Sequence, residues 1–208
     1  MAQQARAIAT RRAIIEAAAT EFIEHGFTGA SIADIAERSG ATKGAMYFHF
    51  RSKELLAQAV IEQQQEANAA LQEQFVTSDL SALAILVSMV RELGLQMKND
   101  VVVLAAMRLA VEIPESEQGT GATYEAWAAP TEVVIEHAIA QGDIRDTLEP
   151  GTLSRLLVAS FTGIQTVSFA TTRLDDLMPR LREMWTVMLP GIVAPGREHI
   201  IPDVLQRA

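Results

Sequence analysis

This 208-residue sequence predicts an all-α fold of about nine helices. Three observations carry that expectation. Apolar residues recur at helical spacing along almost every segment, and no stretch alternates as a strand does. Glycine, proline and Ser/Thr/Asp caps punctuate the segments at helix-like intervals. Residues Ser31 to Lys53 read as two short helices, a tight glycine turn between them and the start of a long third.

The first helix is predicted over Gln4 to His25, with Ile8, Ile14, Ile15, Ala18, Phe22 and Ile23 as its stripe and Gly26 as its stop. Ser31 caps the second; Asp34, three residues on, completes an S-x-x-D pattern, and Gly40 ends it. Thr42 caps a third helix from Lys43 to about Phe48. Ser52 caps a fourth that runs to about Phe75, with Glu54 in its first turn. A fifth is expected from Ser81 to Met97, capped by Ser78 or Asp79. A sixth spans Asp100 to Ile113, with Asn99 or Asp100 as its cap, and stops at Pro114. A polar loop then reaches Thr123. The seventh runs from Tyr124 to Gln141, and Pro130 inside it predicts a kink or break near Ala129. An eighth opens at Pro150 and reaches Arg173; a ninth spans Asp175 to Leu189 and stops at Pro190-Gly191. The tail after Ala194 should hold at most a short helical turn.

Charge divides the chain. Residues 1–53 carry seven basic and five acidic side chains, whereas residues 54–208 carry ten and twenty-one, within an overall net charge of −9. A polyanion would attract the first part and repel the second, orienting the molecule on approach. The third helix suits such a partner. Thr42, Lys43, Gly44 and Ala45 open it, and Tyr47, His49 and Lys53 can donate to phosphate oxygens. A helix-turn-helix of this length places its second helix in a DNA major groove. The plainer alternative is a helical corner with a solvated basic edge. Arg6, Arg11 and Arg12 near the N-terminus are phosphate contacts or simply a solvated helix end.

Resemblance decides between these. Thr10 to Lys53 resembles the N-terminal domain of TetR-family repressors through Arg11, Ala17 to Phe22, Gly26-Phe27, Ile32 to Ala36, Gly40 and the K-G-x-x-Y-F-H-F core from Lys43 to Phe50. That core, FTGIQTVSFATTRLDDL (Phe161 to Leu177) and Tyr124-Glu125-Ala126-Trp127 look like the γ-butyrolactone receptor branch of that family. The resemblance implies a TetR-like fold: a DNA-binding domain at 1–53 containing the helix-turn-helix, Ser31 included, and a ligand-binding and dimerisation domain at 54–208. It implies a homodimer through the eighth and ninth helices, and a pseudopalindromic operator in double-stranded DNA. It implies release by a small γ-butyrolactone, butenolide or similar effector, in control of secondary metabolism. The alternative within the family is an efflux-type regulator answering diverse lipophilic compounds or antibiotics.

A pocket is also readable from residue types. Met89, Leu93, Met107 and Phe161 supply adaptable apolar lining. Trp127, which falls on the tryptophan of the receptor branch, can pack on an acyl-lactone and donate its N–H; Thr131 lies one turn on. Thr162, Gln165 and Thr166 place polar groups among large apolar ones, and either anchor a ligand or bond within their own helix. Gln64 falls on an apolar stripe, where its amide needs a structural partner or a ligand.

An enzyme reading finds no support. The four histidines are scattered without metal-ligand spacing, and there is no G-x-S-x-G or P-loop. With no cysteine there is no thiolate metal site, so neither a metal nor a cofactor is expected. No apolar run reaches membrane-spanning length and no signal-like run opens the chain, which predicts a cytoplasmic protein.

Overall fold

The computed structural model describes residues 2–76, 78–113 and 121–208. Ten α-helices occupy them: α1 Ala2–Gly29, α2 Ile32–Ser39, α3 Lys43–His49, α4 Lys53–Val76, α5 Ala82–Asn99, α6 Val101–Glu112, α7 Gly121–Ala140, α8 Pro150–Thr172, α9 Leu177–Ile192 and α10 Ile201–Leu205. A 3-10 turn, Glu198–Ile200, precedes the last. Among the described residues there is no β-strand, only a single isolated bridge between Ile144 and Val193. The expected short turn near the C-terminus is α10, which makes the tenth helix. The stop expected at Pro114, and most of the polar loop after it, lie outside the described residues.

The described residues group into two compact units, one within Met1–Asn68 and Met97–Thr120, the other within Ala69–Gln96 and Gly121–Ala208. This grouping is drawn differently from the division at residue 53. The first unit takes in the beginning of α4 and all of α6, because Val102, Ala105, Ala106, Leu109 and Ile113 bury in the same core as Ile14, Ile15, Ala18, Phe22, Ile35, Met46 and Leu56. Polar contacts reinforce that packing. α1 breaks at Gly26, whose φ of 71° and ψ of 171° lie outside the helical region. Two α6 side chains close the break: Arg108 donates to the Ile23 carbonyl at 2.7 Å, and the Glu112 carboxylate accepts the Phe27 N–H at 2.8 Å. Arg108 and Glu112 also pair with each other at 2.7 Å.

The second unit packs around Trp185, which is fully buried among Leu83, Leu86, Ile135, Leu157 and Leu189. Several helix ends depart from the sequence expectation. α5 is capped by Ser81, which accepts from the Ala84 N–H, while Gln141 accepts from the Ala82 N–H; Ser78 instead bonds back to the Phe75 carbonyl. α7 runs through Pro130 without a break. The missing proline N–H is a local loss there, and the nearby carbonyls of Trp127 and Ala128 receive the hydroxyls of Thr131 and Ser154. α9 likewise runs through Pro190 to Ile192. Ile192 and Val193 bury in the core, and Arg145 donates to the carbonyls of Pro190, Ile192 and Val193, so the final turn is closed despite the proline.

The corner between α8 and α9 has no glycine. Arg173 and Leu174 both take positive φ, 54° and 71°. Buried Leu174 and the Asp176 carboxylate hold the turn; Asp176 accepts from Ser168, Thr172 and Arg180. Those hydroxyls, with Arg180 adding less, pull the Asp176 carboxyl down to about 2.

Candidate DNA interface and effector site

The reader helix α3 is short, so its neighbours must hold it. Met46 and Phe50 do so from within the core, 1% and 5% exposed. Thr42 caps it by accepting the Ala45 N–H at 3.2 Å. Ser31 does the same for α2 by accepting the Asp34 N–H, and its hydroxyl donates to the Asp34 carboxylate at 2.6 Å. A buried carboxylate ties α2 to α1: Glu21 takes the Arg38 Nε at 2.7 Å, and Glu24 takes another nitrogen of the same guanidinium at 2.6 Å. The Glu21 bond, more than the Glu24 charge, raises the Arg38 pKa above its ordinary value.

What α3 then presents is one continuous face. Thr42, Lys43, Gly44 and Tyr47 are exposed, and Ala45 and His49 are half-exposed. A Cβ added at Gly44 would meet nothing closer than the Thr42 hydroxyl at 4.0 Å, so internal packing does not require a glycine there. Phe48, which the motif contained but the site expectation omitted, is the most exposed aromatic of this face, at 79%, with His49 edge-on to it at 5.1 Å. An apolar ring held this far into solvent suits a surface that a partner covers.

Lys53 is also engaged within the reader. Its ammonium donates to the carbonyls of Thr28 and Ala30 at 3.2 and 3.1 Å and lies 4.7 Å from the centre of the Phe27 ring. Helix ends leave carbonyls without partners, and this cation satisfies two at the end of α1. Lys53 therefore ties the end of α1 to the start of α4 with two of its three donors. Arg11 stacks over Phe50 at 5.4 Å, and Arg12 is engaged with Glu16 at 2.8 Å.

The expected effector residues separate into two groups. Trp127 Nε1 and Thr162 Oγ1 are buried with no hydrogen-bond partner, and Trp127 meets Tyr124 edge-on at 5.4 Å. Burying a donor without a partner is costly, so both groups are suited to a ligand. Thr131, Gln165 and Thr166 behave as ordinary helix residues. The Thr131 hydroxyl donates to the Trp127 carbonyl at 2.8 Å, and the buried Gln165 amide donates to the exposed Thr166 hydroxyl at 3.1 Å. Phe161 is buried, while Met89 and Leu93 are half-buried one turn apart on α5. A cleft of about 500 Å³ beside Ile85, Pro130, Val133 and Val134 includes Met89 and none of the other expected effector residues. In the first unit, Gln64 is 1% exposed with its Oε1 unpartnered, and Met107 is equally buried.

Residues 14–60 match the family model for bacterial regulatory proteins of the tetR family. Along 204 residues the chain is 36% identical to the A-factor receptor protein of Streptomyces griseus, covering 98% of this chain and 71% of that one. The chain belongs to the TetR family. Its place is in the γ-butyrolactone receptor branch. A solved ArpA-like γ-butyrolactone receptor superposes with a TM-score of 0.82 at 27% identity, over 97% of both chains. The CprB protein of Streptomyces coelicolor, solved in complex with its operator sequence, superposes at 0.81 with 28% identity, again over 97% of both. The TetR assignment makes this a DNA-binding regulator and not an enzyme. No helix among the described residues is long and apolar enough to cross a membrane.

Proposed function

We propose that the protein is a homodimeric repressor of secondary-metabolite genes, released from a pseudopalindromic operator by a small γ-butyrolactone-type molecule, and that it works in the cytoplasm. The observation that carries the effector half is the pair of buried, unpartnered donors at Trp127 and Thr162. Their unmet hydrogen bonds match a compact molecule with a carbonyl and oxygen acceptors. The likeness to the A-factor receptor along nearly the whole chain supports the same class.

In this reading residues 1–53 read DNA. Lys43, Tyr47 and His49 position the protein on phosphates, and Thr42, Gly44 and Ala45 lie nearest base edges. Phe48 adds an apolar contact to sugars or thymine methyls. The dimer forms through α8 and α9, which expose Leu156, Val167 and Val187 beside a cleft lined by Gly163, Ile164, Met184 and Met188. The effector releases DNA by favouring the conformation in which two reader helices no longer fit successive major grooves. α4 starts in one unit and ends in the other, so it carries the change along the chain.

A gel shift on DNA flanking the protein's own gene, titrated with lactones, butenolides, furans and antibiotics, tests this. Release by one lactone-type class at low concentration is the expected result. Release by diverse lipophilic drugs alone would instead identify an efflux-type regulator.

A further inference from the structure

We propose that Gln96 is a third effector-anchoring residue, one that accepts a hydrogen bond from an effector hydroxyl. The inference rests on the reading of the second unit as the effector site. Among its described residues, five side-chain polar atoms are buried without a partner: Gln96 Oε1, Trp127 Nε1, Arg145 Nε, Thr162 Oγ1 and Trp185 Nε1. Two of these have structural explanations. Arg145 already spends its guanidinium on the carbonyls that end α9, and Trp185 is wholly enclosed in the apolar core, whereas Gln96, Trp127 and Thr162 are half-buried. The remaining three are Trp127, Thr162 and Gln96.

Helix geometry places Gln96 with the expected lining. Met89, Leu93 and Gln96 stand at i, i+4 and i+7 on α5, which puts them on one face. That face is turned away from α9. Gly94 approaches α9 so closely that a Cβ there would lie 2.7 Å from Leu181, and Gln96, two residues on, points to the opposite side. An apolar residue would fill this position without an unmet acceptor. A buried amide oxygen beside Met89 and Leu93 is a cost the empty protein carries, and a ligand donor removes it.

The three groups also define the ligand more narrowly. Trp127 can only donate, Thr162 can do either, and Gln96 Oε1 can only accept. A lactone carbonyl answers the first, but it cannot answer the third. An effector that Gln96 anchors therefore carries a hydrogen-bond donor, such as a hydroxyl, beside its lactone.

The test uses the full-length dimer and the variant Gln96→Met, which keeps the side-chain length and helix propensity. Two probes are titrated by calorimetry: an alkyl γ-butyrolactone with a side-chain hydroxyl, and its deoxy analogue of the same carbon skeleton. The parent protein should bind the hydroxyl compound about tenfold more tightly than the deoxy one, because the unpaired acceptor penalises the analogue. Gln96→Met should lose that ratio while keeping the affinity for the deoxy compound. Without ligand, the variant should melt about 2–4 °C higher. A variant that keeps the tenfold ratio, or melts lower than the parent, would overturn the assignment. If the parent binds neither lactone, the effector class fails independently. The melting temperature then decides Gln96 alone: a rise keeps it as a ligand-facing amide and a fall makes it structural.

Discussion

Replacing Gly26 with alanine should destabilise the reader unit by about 1–3 kcal/mol, the cost of holding a residue with a Cβ in a region only glycine enters freely. The backbone there combines a φ of 71° with a ψ of 171°, and the new Cβ would stand 3.2 Å from the Glu112 carboxylate. Relaxing either strain pulls the Phe27 N–H away from that same carboxylate, so part of a charge-assisted hydrogen bond is lost as well. The lower entropy of the unfolded alanine chain offsets only about 0.4–1 kcal/mol of this. For a chain of this size a net change of about 1–2 kcal/mol corresponds to a drop of about 2–8 °C in melting temperature. Gly40→Ala is the control. Gly40 has a φ of 67° and a ψ of 11°, a left-handed conformation that other residues occupy at about 1 kcal/mol, and its Cβ would meet nothing within 4 Å. Thermal denaturation of the two variants, followed by circular dichroism, should rank Gly26→Ala clearly below Gly40→Ala. Equal melting temperatures, or a neutral Gly26→Ala, would refute the idea that the α1 break is held rigidly by α6.

Other consequences follow from the same residues. Lys43→Ala should weaken operator binding about tenfold and lower its salt dependence by about one counterion, while effector binding stays intact; salt-titrated gel shifts read both. Lys53→Met should instead lower the melting temperature without a matching change in salt slope, because the ammonium is committed to the Thr28 and Ala30 carbonyls. Trp127→Ala should keep operator binding and lose release by the effector, which the same gel shift measures. Asp176 is held down to about 2 from an ordinary 3.8, so its stabilising contribution is fully present above 3.8 and is lost as pH falls through its folded value. The melting temperature of Asp176→Asn should therefore lie below the parent's by a constant amount above pH 5, with the gap closing between about pH 4 and 2.

The helical outline was readable because its signals are local. Ser31, Thr42 and Asp100 cap the helices they precede, and Gly26, Gly40 and Gly142 stand where the chain turns. The prolines misled because their effect depends on position. Pro130 and Pro190 each forfeit one backbone bond, and both helices run on because side-chain bonds to other nearby carbonyls, from Thr131 and from Arg145, hold the adjoining turns. The left-handed pair Arg173-Leu174 carries no sequence mark, since what holds it is Asp176 reaching back to Ser168 and Thr172. Lys53 reads as a phosphate ligand by type and by family, and its bonds to carbonyls more than twenty residues earlier in the chain carry no local sequence signal. Trp127, Thr162 and Gln64 were nameable as residues, but their shared lack of a partner is visible only once everything around them is placed.

That α6 completes the core around α1 bears on how such regulators can be recombined. A chimera made by cutting after the reader and attaching a foreign sensor would separate Ile14, Ala18 and Phe22 from Val102, Ala106 and Leu109. It would also strip Arg108 and Glu112 from the end of α1. The portable module is therefore discontinuous. An engineer who wants this operator specificity on another sensor has to carry α6 across with the first 68 residues, or redesign the α1 face it covers.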